Sequence, residues 1–331
     1  MEKIHPPYTW FGGKRKVADL VWSAIGDVDN YVEPFFGGGA VYLLRPHTPR
    51  VETINDYDGF VCNFWRAVHA DPVELAKEIN WPVNEIALEA RHRYLCRMPE
   101  KQEFLERMKH DCDYYDIKRA AWWAWGINAW IGGGWCGGEY YEGEPGKSKG
   151  GGICDGANKM PYLGGAGRGV HRQLPHLGDA GRGEVERREA VLVEWMKQLK
   201  DRLRNTRVCC GDWSRVCTNG ATSRFKTIGV FLDPPYSAEA GRDNNIYRVE
   251  DLSVAHDVRQ WCIDRTDDHR FRIVLAGYDN EHMELESLGW RVVAWKANGG
   301  YGNPGEGKGK DNASRERLWF SPSCQQEKLL F

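Results

Sequence analysis

The 331-residue sequence carries almost no net charge, −2, so its overall balance gives no sign of a polyanion partner and any nucleic-acid site has to be a local patch. It has no apolar run approaching the roughly 18 residues of a membrane span, which argues against a membrane protein. Met1-Glu2-Lys3-Ile4-His5 lacks the pattern of a signal peptide, so a cytoplasmic protein is expected. None of the ten cysteines forms a CxxC pair; they read as reduced thiols, and no metal site is expected. Two nucleotide-binding signatures are also missing, the GxxxxGK[ST] loop and a clear GxGxxG at the end of an expected strand. What is plentiful is glycine, 38 residues, and tryptophan, 15 residues; the glycines cluster, which places function in particular loops.

The most informative stretch is Thr227 to Tyr236. Thr227-Ile228-Gly229-Val230-Phe231-Leu232 is a short apolar run of the kind that forms a central parallel strand, and it stops at Asp233-Pro234-Pro235-Tyr236. Each proline fixes its own φ, lacks an N–H and keeps the preceding residue extended, so no helix continues from the acid. The turn offers acceptors only, the Asp233 carboxylate and the Pro234 carbonyl, beside the Tyr236 ring. Fixed acceptors next to an aromatic face suit a planar group carrying an NH2. The same tetrapeptide also serves as a plain turn after a strand.

One helix start and two further strand ends carry similar signals. Trp10-Phe11-Gly12-Gly13-Lys14 precedes helical spacing at Val17, Leu20, Val21 and Ile25, which predicts an anion or carboxylate site at a helix start. Tyr31 to Leu43 reads as a strand, a glycine turn containing Glu33, Pro34, Phe35, Gly37 and Gly39, and then a helix. Val51 to Asp56 reads as a second strand ending in an acid, at the distance where such folds place a ribose-binding carboxylate; Asp56 also suits the N-cap of a helix from Gly59 to Val68. Loop and acid together favour an adenosine-containing cofactor without separating a dinucleotide from S-adenosylmethionine.

From about residue 60 to 200 the strand-helix alternation is lost. Asp71 to Ile79, Asn84 to Lys109 and the tryptophan-rich Lys118 to Ile131 suggest helices, with most tryptophans in a core. A glycine-dominated stretch, Gly132 to Gly169, follows, and from Lys147 to His176 its charge is of one sign: Lys147, Lys149, Lys159, Arg168 and Arg172 against Asp155. Phosphate binding is the natural role of such a patch, although a solvated loop has the same composition. Glu184 to Arg204 returns as a helix, and Arg207 to Trp213, Val249 to Arg265, Arg272 to Gly277, Trp290 to Trp295 and Arg317 to Phe320 resume the alternation of strands and helices. This implies a doubly wound α/β sheet with an inserted domain.

Taken in order, Trp10 to Lys14, Glu33 to Gly39, an inserted region and Asp233 to Tyr236 resemble the DNA adenine-N6 methyltransferases of the deoxyadenosine methylase type, the D12 class with alpha motif order. The resemblance also covers Asp56, Gly211-Asp212-Trp213 and Asn298 to Phe320. It implies a Rossmann-like methyltransferase sheet from residues 1–60 and 205–331 that binds S-adenosylmethionine, and a mainly helical target-recognition domain from residues 61–204. Catalysis would fall to Asp233, Pro234, Pro235 and Tyr236. Cofactor contacts would come from Trp10, Lys14, Glu33, Pro34, Phe35, Gly37, Gly39, Asp56, Asp212 and Asp233. Double-stranded DNA would be the partner, with Asn128 beside the basic residues, and no obligate protein partner is evident. The family's arginine after Asn128 is replaced by Ala129, and the glycine stretch is enlarged, so no recognition sequence transfers. A cytosine-N4 or RNA adenine methyltransferase would use the same pocket; a nicotinamide-dependent oxidoreductase would leave Asp233 to Tyr236 unexplained, and a non-catalytic DNA-binding protein would have no use for it.

Overall fold

A computed structural model describes residues 4–8, 10, 13–47, 50–130, 135–136, 185–222, 224–236, 254–296 and 314–325. Among them seven strands form one sheet: β1 (Asn30–Glu33), β2 (Val51–Asp56), β3 (Thr206–Cys210), β4 (Ile228–Leu232), β5 (Phe271–Tyr278), β6 (Arg291–Ala294) and β7 (Glu316–Phe320). The order is β3-β2-β1-β4-β5-β7-β6, parallel except for β7, which runs antiparallel to β5 and β6. The chain order reverses between β1 and β4, so their carboxyl ends open the crevice where doubly wound sheets bind ligands.

The pleat divides the sheet's side chains between two cores. Phe231, Val274, Ala276, Leu318 and Phe320 face one layer, while Val230, Leu232, Ile273, Leu275 and Trp319 face the other. Every residue of β4 is buried, which explains its unbroken apolar run. On one side lie α1 (Ala18–Ile25), α2 (Gly59–Ala70), α3 (Pro72–Ile79), α4 (Glu85–Arg97), α5 (Lys101–His110), α6 (Ile117–Ala129) and α7 (Val185–Arg202). The short α8 (Asn219–Thr222), α9 (Val254–Ile263) and α10 (Glu284–Ser287) complete the chain order. Val258, Trp261 and Cys262 of α9 and Leu285 of α10 pack on the opposite face. α1 approaches β4 closely because residue 229 is glycine; a Cβ there would meet Ile25 Cγ2 at 2.5 Å.

Three local expectations change. The segment from Asn84 to Lys109 is two helices, α4 and α5, because Pro99 holds Met98 at φ −56°, ψ 132° and breaks the first one. The helix expected after the glycine turn is a single 3-10 turn, Tyr42–Leu44; Pro46 keeps Arg45 extended at ψ 123°. Asp58, not Asp56, caps α2, accepting from the Phe60 N–H at 2.8 Å.

The described helices between residues 61 and 204 do not enclose a core of their own. α2, α3, α4, α6 and α7 pack together, and Trp65, Trp123, Trp125 and Met196 share one continuous core with Tyr31 and Phe231 of the sheet. A buried charge network fixes the end of α7 to β2: Glu52 takes Arg45 at 3.0 Å and the Arg202 Nη2 at 2.9 Å. Both arginines have further acceptors, Val28 O and Tyr42 O, which is the condition for a buried ionic cluster to hold.

Candidate active site

The glycine turn after β1 is fastened on three sides. Asn55, a buried polar residue in β2, donates its amide to Pro34 O at 3.1 Å and Gly211 O at 3.0 Å, tying the loops after β1 and β3 together. Asp56 Oδ2 accepts from Gly37 N–H at 2.8 Å and its Oδ1 from Asp58 N–H at 2.8 Å. Tyr8 donates its hydroxyl to Gly37 O at 2.9 Å, and the Trp65 indole reaches the Tyr8 oxygen at 3.0 Å. Gly37 has φ +48°, and a Cβ there would lie 2.3 Å from the Trp10 indole, so Trp10 rests directly on the loop backbone. Glycine is required at 37 on both counts.

Two features of this half suit an adenosine ligand. Phe35 and Trp213 stack with centroids 6.1 Å apart and planes 30° from parallel, forming an aromatic wall next to the exposed Asp212. Asp212 Oδ1 accepts from Ser214 N–H at 2.9 Å, which leaves its other oxygen outside that cap. Glu33, at the end of β1, is buried and takes the Tyr31 hydroxyl at 2.7 Å. Burial, with the Asp233 and Glu52 charges adding to it against that hydroxyl, lifts its carboxyl to about 8.

At the end of β4 the arrangement is ionic. Lys14 is 3% exposed, and its ammonium lies 2.9 Å from both oxygens of Asp233 and 3.9 Å from Glu316 Oε2. Burial opposes that charge, but Asp233 and Glu316 outweigh it and raise the ammonium above its ordinary range. The anion site expected at this helix start is thus already matched by two carboxylates of the chain itself. Tyr236 donates its hydroxyl to Glu316 Oε2 at 2.7 Å, and its ring meets Tyr278 edge-on at 4.5 Å. Pro234 is buried and Pro235 half-buried, so the turn is held between strand and tyrosine.

Trp10, Lys14, Glu33, Pro34, Phe35, Gly37, Gly39, Asp56, Asp212, Asp233, Pro234, Pro235 and Tyr236 therefore gather at or beside the carboxyl ends of β1 to β4. Asn128, expected among the DNA contacts, lies in α6. It is 4% exposed, and its amide donates to Pro7 O at 3.1 Å and Ala124 O at 2.8 Å, anchoring the N-terminal segment to α6. Lys147, Lys149, Lys159, Arg168 and Arg172 lie outside the described residues. Sequence reasoning passed over Glu316, Asn55 and Tyr8. An acid opening the apolar strand Arg317-Leu318-Trp319-Phe320, and an asparagine inside Val51 to Asp56, were the available signals for the first two.

A mostly parallel seven-stranded sheet with acids at the ends of β1, β2 and β4 defines a mixed α/β protein of the kind consistent with a Rossmann-like methyltransferase. Residues 10–117 match the model of the D12 class N6 adenine-specific DNA methyltransferase family, which bears out the resemblance read from the motifs. The chain is also similar to the Type II methyltransferase M.MjaIII of Methanocaldococcus jannaschii, 27% identical over 128 residues. That alignment takes in 36% of this chain and 43% of the relative, so the chain spans less than half the length of the curated relative it matches.

Proposed function

We propose that this protein transfers a methyl group from S-adenosylmethionine to the exocyclic N6 amine of an adenine flipped out of double-stranded DNA. The observation that carries the reading is the Asp233 turn at the switch point beside Glu33, with Lys14 and Tyr236 holding it in place. A family whose description names N6-adenine methylation matches the other half of the same crevice.

The donor set fits the methyl donor. A bound sulfonium would draw Glu33, whose carboxyl burial lifts to about 8, toward its ionised form. Glu33, Trp10, Pro34 and the Gly37–Gly39 backbone would hold the donor's methionine end, while Asp56 would take the ribose hydroxyls and Phe35 and Asp212 the adenine. Bound there, S-adenosylmethionine supplies an electrophilic methyl group.

The adenine amine is a poor nucleophile because its lone pair is delocalised into the ring. Asp233 and the Pro234 carbonyl accept both N–H hydrogens and favour the pyramidal nitrogen that develops as the new bond forms. The Lys14 ammonium, 2.9 Å from the Asp233 carboxylate, fixes its direction. Unstacking the base costs a few kcal/mol, and stacking on Tyr236 returns about 1–3 kcal/mol. The remainder falls to phosphate contacts from the helical region, residues 61–204, where Lys147, Lys149, Lys159, Arg168 and Arg172 are the proposed cations.

Transfer of labelled methyl from S-adenosylmethionine to purified DNA, followed by nucleoside analysis, tests the reading. N6-methyladenine is the expected product, and Asp233→Ala abolishes it while cofactor binding survives. Label in N4-methylcytosine, or in RNA alone, would reassign the substrate; an Asp233→Ala variant with full activity would remove the chemistry proposed for the turn.

A further inference from the structure

Glu316 opens β7, and the antiparallel register sets it opposite Tyr278 at the end of β5. Nothing in the motif pattern assigns it a part, yet it is buried at the one point where three groups of the crevice meet. Its Oε2 accepts the Tyr236 hydroxyl at 2.7 Å and lies 3.9 Å from the Lys14 ammonium. The Tyr236 oxygen is 3.5 Å from Asp233 Oδ1, too far to share its one proton well, so Glu316 is the acceptor that sets the direction of the phenol.

We propose that Glu316 is a positioning residue: its carboxylate pins the far end of the Tyr236 ring and so aims the ring face that stacks on the flipped base. The inference rests on the function proposed above. Tyr236 follows two prolines that fix the backbone but leave the side chain its own torsions. Tyr278 meets the ring edge-on at 66° and blocks one side, which restricts the swing of the ring without choosing its tilt. A hydrogen bond at the hydroxyl, farthest from Cα, selects one tilt with the longest lever. A charged acceptor makes that bond strong, and burial keeps water from competing for the phenol. Burial raises the Glu316 carboxyl above the ordinary range, while Lys14 and the Tyr236 hydroxyl oppose that rise.

The test uses the full-length protein and DNA carrying 2-aminopurine in place of the adenine that it methylates, with methyl transfer measured in parallel on the natural site. Tyr236→Phe keeps the aromatic face but loses the hydroxyl; we expect base capture and kcat/KM for DNA to fall roughly ten- to hundredfold, the range of a hydrogen bond to a charged group. Glu316→Ala should show the same loss, and the double variant should be no worse than either single one. Glu316→Gln retains an acceptor oxygen and should recover at least tenfold over Glu316→Ala, with cofactor affinity constant throughout. If Glu316→Ala does not fold, Tyr236→Phe and Glu316→Gln decide the matter by themselves. Base capture in Tyr236→Phe equal to that of the unmodified protein overturns the proposal, as does a Glu316→Gln variant no better than Tyr236→Phe, or losses that multiply in the double variant. An unmodified protein that transfers no methyl group overturns the functional reading itself, a failure distinct from any of these.

Discussion

The two halves of the crevice are held by different forces. The half proposed for the cofactor, at the ends of β1, β2 and β3, is fastened mainly by hydrogen bonds between side chains and backbone: Asn55 to Pro34 and Gly211, Asp56 to Gly37, and Tyr8 to Gly37. The half proposed for the base, at the ends of β4, β5 and β7, is fastened by charge: Lys14 between Asp233 and Glu316, with Tyr236 tied to the latter. The backbone bonds fix a loop that a ligand only has to approach. The ion cluster holds groups that must remain acceptors when a substrate arrives, and a cation supplied by the chain sits against both carboxylates. Each half should therefore fail in its own way.

Removing the cation breaks the base half most severely. Lys14→Met leaves Asp233 and Glu316 side by side without a counter-charge, and a buried pair that loses one partner costs about 4 kcal/mol. Calorimetric unfolding should show that loss, smaller at pH 5 than at pH 8 because protonating Glu316, whose carboxyl burial already raises, relieves the repulsion. A Lys14→Met protein as stable as the unmodified chain would mean that the cluster contributes nothing. Glu33 provides the next effect. Its folded carboxyl, raised to about 8 from an unfolded value near 4.5, keeps its proton where the unfolded chain has released it. Stability therefore falls as pH rises through that window, by an amount on the order of 3 kcal/mol. Glu33→Gln should flatten the slope of denaturant unfolding against pH between 5 and 8, and an unchanged slope would place the titration elsewhere. Asp56→Asn is the smallest: the amide cannot accept at both oxygens, so one of the Gly37 and Asp58 N–H groups loses its acceptor, at about 1 kcal/mol. Its mark should be a severalfold weaker cofactor affinity by titration calorimetry with base capture intact.

The same contrast runs through what the sequence discloses. Strand ends are legible because apolar runs, prolines and glycines act on the backbone locally, and Thr227 to Tyr236 folds as its composition dictates. The acids at positions 33, 56 and 233 were legible as ends of such runs. Their partners were not, since Lys14 is 219 residues from Asp233 and Glu316 is 80 from Tyr236, and no local pattern encodes that pairing. Asn128 shows the reverse. The resemblance alone places it among the DNA contacts, and its amide satisfies two backbone carbonyls in the core. The region of residues 61–204 reads as an insert because the strand alternation stops there, and its described helices share a core with the sheet.

The central claim is that acceptors at the end of β4 direct methyl transfer to an adenine amine. Modification-sensitive sequencing of DNA from cells expressing the protein, beside cells expressing Asp233→Ala, tests it most directly because base, position and context are read together. The account predicts N6-methyladenine at a recurring sequence in the first sample and its absence from the second. Unmodified adenine in both, or identical methylation in both, would contradict it.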